Sequence, residues 1–100
     1  MPIAYVQEFD GDENDRSTTN YDSVRARLNV DTDPPAGLIV HTAGFAGPVF
    51  RIFDVWESEE HASRFRDERL MPVVSQMMQS GMGSPPDREY TYELHDFVRG

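Results

Sequence analysis

Two side chains stand where acid–base chemistry could start: His41 in GLIVHTAGF and Asp54 in FRIFDVWES. If those segments pair as adjacent strands, the imidazole and the carboxylate lie opposite or diagonal on one face, within reach across the ladder. A carboxylate that holds an imidazole fixes its tautomer and stabilises its charged form. The result is a general base whose proton affinity responds to burial. The same pair can instead be structural, each group satisfying the other inside the fold. Trp56 shares the alternating face of Phe50, Ile52 and Asp54, which suits either an aromatic ligand or an interface anchor.

Other chemistries are excluded by composition. The chain has no cysteine, so disulfides, thiolate metal sites and thiol catalysis are absent together. All nine basic residues are arginine, which removes Schiff-base catalysis by a lysine. A formal net charge of −9 argues against nucleic acid as a partner, because phosphate binding needs clustered positive charge. The three histidines are scattered with no i,i+4 pair, so no metal site is expected. The acidic run at 10–15 lacks the glycine and the twelfth-position acid of a calcium loop. His61 follows two glutamates in a helical first turn and reads as solvated, and His95 reads as exposed. Met71, Met77, Met78 and Met82 could line a flexible apolar pocket or fill gaps.

The elements that must position these groups follow from period and punctuation. Residues 1–100 make a single domain, with a core feasible without staples. IAYVQEF (3–9) alternates as a strand, and the polar, acidic 10–18 is a loop. Thr19 opens a T-x-x-D cap, and Tyr21, Val24 and Leu28 recur at helical spacing over about 20–30. DTDPPAG stops that helix. Residues 37–45 and 49–57 form an antiparallel hairpin, and Ser58 caps a second helix with Glu59 and Glu60 in its first turn. Pro72 predicts a kink or break near 70–72. REYTYELHDFV (88–98) is a fourth strand.

The order β-α-β-β-α-β is the α+β, ferredoxin-like arrangement: an antiparallel four-stranded sheet with two helices on one face. Without a bulge, one face of the hairpin holds Leu38, Val40, Thr42, Val49, Phe53 and Val55, and is expected under the helices. The other holds Ile39, His41, Ala43, Phe45, Phe50, Ile52, Asp54 and Trp56, and is expected to meet a second copy of the sheet. A homodimer is therefore expected.

GLIVHTAG, FRIFDVWES and ERLMPVV together resemble small members of the dimeric α+β barrel superfamily, and more distantly the antibiotic-biosynthesis monooxygenase-like proteins. The resemblance spans about residues 3–97 and is strongest over 37–74. It implies a homodimer with sheets face to face, and a pocket between each sheet and its helices or inside the barrel. Trp56 matches a site-lining Trp of the haem-degrading and quinone-forming branches, and Gln7 stands nearest their first-strand amide. Arg66 and Asp67 stand where the haem-degrading relatives carry a helix histidine, so no haem is expected, nor any other cofactor. The superfamily's activities are diverse, so the resemblance speaks to fold more than to reaction.

The function expected is binding of a small apolar or aromatic molecule in a cavity marked by His41, Phe50, Ile52, Asp54, Trp56 and Gln7. His41 would be the base and Asp54 its orienter in a cofactor-independent monooxygenase or isomerase. A non-catalytic dimeric binding or structural module is the alternative. A remoter one rests on Pro2, since PIA resembles the start of tautomerases with an N-terminal proline base. No apolar run approaches a membrane span, and no signal peptide is legible, so a cytoplasmic protein is expected.

Overall fold

A computed structural model describes residues 2–12, 17–98 and 100. Part of the predicted loop at 10–18 lies outside the described residues. The elements are β1 (Ile3–Phe9), α1 (Thr19–Leu28), β2 (Leu38–Ala46), β3 (Val49–Trp56), α2 (Glu59–Phe65), a π-helical turn (Arg66–Leu70), α3 (Met71–Gln79) and β4 (Arg88–Glu93). The strands form one antiparallel sheet in the order β2-β3-β1-β4. This is the ferredoxin-like α+β fold, with α2, the π turn and α3 acting as one interrupted helix. Among the described residues no helix is long and apolar enough to cross a membrane.

Local chemistry explains the joints. Gly47 closes the β2–β3 hairpin with φ 58°, a conformation glycine adopts without a Cβ penalty. Ser58 caps α2, its hydroxyl accepting from the His61 amide at 3.2 Å. The first helix begins at its predicted cap, Thr19, so the N-cap is one residue earlier: Thr18, whose hydroxyl donates to the Asp22 carboxylate at 2.9 Å. Asn29 ends that helix in the left-handed region at φ 57°, where asparagine is tolerated. The break expected at Pro72 is a π turn just upstream, where Met71 N–H reaches back to Arg66 O. A proline ring crowds the carbonyl four residues before it, and the wider turn relieves that contact. The fourth strand stops at Glu93, short of its expected end at 98.

The facing of the sheet differs from the expectation. The predicted pairs His41↔Asp54, Ala43↔Ile52 and Phe45↔Phe50 are present, but a bulge between Leu38 and Val40 turns Leu38 to the His41 side. The helices cover that same side: Trp56 packs on Phe65 of α2 at 5.2 Å between ring centroids, and Tyr21 of α1 packs edge-on against Phe50 at 5.2 Å. Both faces of the hairpin are apolar, so alternation cannot choose between them. The choice falls to the handedness of the β1-α1-β2 crossover between parallel strands.

The core sits at one end of the covered face. Ile3, Tyr5, Trp56 and Ala62 are buried together, with Leu38 and Phe65 against them. Arg69 ties the π turn to the first helix. Its Nη2 donates to Leu28 O at 2.7 Å and to Asp33 O at 2.9 Å, while its guanidinium lies 5.7 Å from the Phe65 ring centroid. Leu28 O belongs to the last turn of α1, where carbonyls lack helical partners.

Candidate functional site

Between the covered face and the helices lies a cavity of ≈ 650 Å³. Its floor comes from alternate residues of the strands: His41 and Phe45 of β2, Phe50, Ile52, Asp54 and Trp56 of β3, and Tyr5, Gln7 and Phe9 of β1. Tyr21 and Leu28 of α1, Phe65 of α2 and Met77 of α3 supply the opposite wall. Period-two alternation accounts for the floor and helical spacing for the wall. All six residues singled out from the sequence line this one space.

His41 and Asp54 are in contact. Nδ1 of His41 lies 2.6 Å from Oδ1 of Asp54, whose side chain is 11 % exposed. Nε2 of the same ring lies 2.6 Å from the Tyr21 hydroxyl, so phenol, imidazole and carboxylate form one chain. Burial is the first cause holding the Tyr21 phenol above its usual value; Arg25 pulls it down and Asp54 pushes it up.

A second polar group stands beside the first. Tyr5 pairs with Asp54 across β1 and β3, and its hydroxyl donates to Glu89 Oε2 at 2.5 Å. Gln7 Nε2 donates to the same oxygen at 3.1 Å. Burial first, and the Glu89 carboxylate second, raise the Tyr5 phenol well above its ordinary value. Trp56 is 1 % exposed, and its indole N–H has no partner among the described residues. A buried donor without an acceptor is costly.

The sequence pattern does not mark Tyr21, Tyr5 or Glu89 as site residues. Tyr21 shows the i, i+3, i+7 spacing of a core stripe, and the β1–β4 register that brings Tyr5 to Glu89 has no local sign. His61 is half-buried rather than solvated, its Nδ1 taking the Ser58 hydroxyl at 2.7 Å. Met71, Met77, Met78 and Met82 all border the cavity, whereas His95 is exposed and Pro2 lies outside the lining. Among the described residues no group of three or more His, Asp or Glu could hold a metal ion.

No protein-family model matches the sequence, and no curated protein matches it. Solved structures do. Rv0793 from Mycobacterium tuberculosis superposes with a TM-score of 0.70 at 14% identity, covering 99% of this chain and 100% of that one. SnoaB, a cofactor-independent oxygenase from Streptomyces nogalater, gives 0.63 at 13% identity over 99% and 98%. A candidate antibiotic biosynthesis monooxygenase from Caulobacter crescentus gives 0.66 at 12% identity over 95% and 91%. At such identities the likeness speaks to fold: the chain has the ferredoxin-like architecture of the antibiotic-biosynthesis monooxygenase-like proteins.

Proposed function

We propose that the chain binds a small, largely apolar or aromatic molecule between its sheet and helices, and removes a proton from it without a cofactor. The observation that carries this reading is the His41–Asp54 contact on the wall of a ≈ 650 Å³ cavity, a volume inside the roughly 300–1,000 Å³ typical of ligand sites. Proton removal by side chains is a first step open to a cofactor-independent oxygenase, which is what SnoaB is called, and equally to an isomerase. A non-catalytic binding module is the second reading. It draws on the closed Tyr21–His41–Asp54 chain, in which each polar group already satisfies the next.

The proposal includes association of two copies through the uncovered sheet face, where Val40, Tyr90 and Tyr92 are 40%, 40% and 44% exposed. Large apolar side chains left exposed on one sheet face are what a second copy would cover.

Calorimetric titration with 2-naphthol tests the ligand reading. Ile52→Trp, which fills the cavity from its floor, should abolish binding. Equal binding by the filled variant would place the probe elsewhere and sink the proposal.

A further inference from the structure

Both ring nitrogens of His41 are occupied. A carboxylate can only accept, so Asp54 takes Nδ1–H of the ring across 2.6 Å. In the neutral ring Nε2 then carries a lone pair, and the Tyr21 O–H, 2.6 Å away, can donate to it. His41 has no nitrogen left to present to a ligand. Tyr21 has the opposite standing: its oxygen gives its proton to His41 and keeps lone pairs that can accept another. The phenol lines the cavity and its ring is held edge-on by Phe50.

We infer that Tyr21 is the catalytic residue that meets the ligand, accepting a proton from a ligand hydroxyl while passing its own to His41 Nε2, with Asp54 positioning the imidazole. The inference rests on the cavity reading above and names the atom that acts there. The ligand O–H bond and the Tyr21 O–H bond break; a new O–H bond forms on Tyr21 and a new N–H bond on His41. The products are a ligand anion and an imidazolium beside the Asp54 carboxylate, and nothing is oxidised or reduced.

The groups facing Tyr21 make concerted transfer the accessible route. His41 and Asp54 approach from the sheet; Asp22 and Arg25 lie on its own helix. Arg25 is itself held by Asp31 through two contacts of 2.8 and 2.9 Å. Burial outweighs the guanidinium and raises the phenol, so a resting tyrosinate is disfavoured and Tyr21 must take a proton as it gives one. Because Tyr21 belongs to α1 and its acceptor to β2, the relay exists only while that helix lies on the sheet.

The test uses 2-naphthol, an aromatic weak acid whose neutral and anionic forms absorb at different wavelengths. Binding is read by calorimetry and ground-state ionisation by the absorption band of the anion, for the wild-type chain, Tyr21→Phe and Asp54→Asn. The wild type should bind and ionise the probe. Tyr21→Phe keeps the ring and should bind comparably, with an anion yield lower by about tenfold or more, and Asp54→Asn should also lower it. If Tyr21→Phe ionises bound probe as well as the wild type does, His41 meets the ligand directly and the relay is overturned. If the wild type does not bind the probe at all, the cavity reading fails and the relay with it. Nitrogen NMR of His41 in the ligand-free wild type supplies an independent check. An unprotonated Nε2 at neutral pH is expected; a proton on that nitrogen would overturn the relay whatever the variants do.

Discussion

The two faces of the sheet are built from the same strands and the same alternation, yet they hold different kinds of residue in place. On the covered face, Asp54, Tyr5 and Trp56 are buried beside a cavity: Asp54 meets His41, Tyr5 meets Glu89, and the Trp56 indole N–H has no partner among the described residues. On the uncovered face, Ala4, Val6 and Val55 are sealed while Tyr90, Tyr92 and Val40 stay exposed. Its one end is an ion-pair lattice in which Glu8 meets Arg88 at 2.6 Å and Arg51 at 3.3 Å. One face concentrates groups that can exchange protons; the other presents aromatic edges and paired charges suited to a partner. Hydrophobic content does not tell the two faces apart. The partners of their titratable groups do.

The largest effect that could break this contrast is on stability. Trp56→Ala empties a fully buried position packed on Phe65 and should cost about 3–5 kcal/mol in chemical denaturation. Tyr92→Ala, removing an aromatic of comparable bulk from the other face, should cost the protomer about 1 kcal/mol or less at matched concentration, because it is 44% exposed. Similar costs would mean that the uncovered face is as structural as the covered one.

Gly37 probes the seam at which β2 begins. It sits at φ 85°, and a Cβ there would collide with the His61 ring. Gly37→Ala should destabilise by about 1–3 kcal/mol from backbone strain alone, read as a lower denaturant midpoint with an unchanged slope.

The uncovered face is addressed by Tyr90→Glu with Tyr92→Glu. Sedimentation equilibrium should report twice the chain mass for the wild type and the chain mass for the double variant, with little change in protomer stability. A wild-type monomer would remove the interface from the comparison.

The smallest effect is in pH dependence. The Tyr5 phenol is raised from an ordinary value of 10.0, so above that pH the unfolded chain loses a proton that the folded chain keeps. The unfolded state then binds fewer protons, and stability falls as pH rises. Tyr5→Phe should make this alkaline decline shallower; denaturant midpoints measured on either side of about pH 10 check it.

How much of this was legible in the sequence follows from how local each cause is. The hairpin, the order of elements and the His41–Asp54 pairing follow from period two and a short turn, and the structure has them. The covered face did not, because Leu38, Val40 and Phe53 are as apolar as Phe50 and Ile52, and chirality of the crossover leaves no mark in composition. Tyr21 reads as one more residue in an apolar stripe, since a hydroxyl at the tip of a ring does not disturb helical spacing. Glu89 reaches Tyr5 through a pairing between the first and last strands, a register that no neighbouring residue encodes.

The π turn at Arg66–Leu70 has the character of an insertion that the helix has absorbed. A π turn holds one residue more than an α turn over nearly the same length, so everything after it is rotated by roughly 100° relative to an uninterrupted helix. Val74, Met77 and Met78 border the cavity from beyond that point. Deleting a single residue from 66–69 would thus leave every cavity side chain in the chain, yet turn Met71, Val74, Met77 and Met78 away. The shape of the wall is stored in a count of residues as much as in their identities.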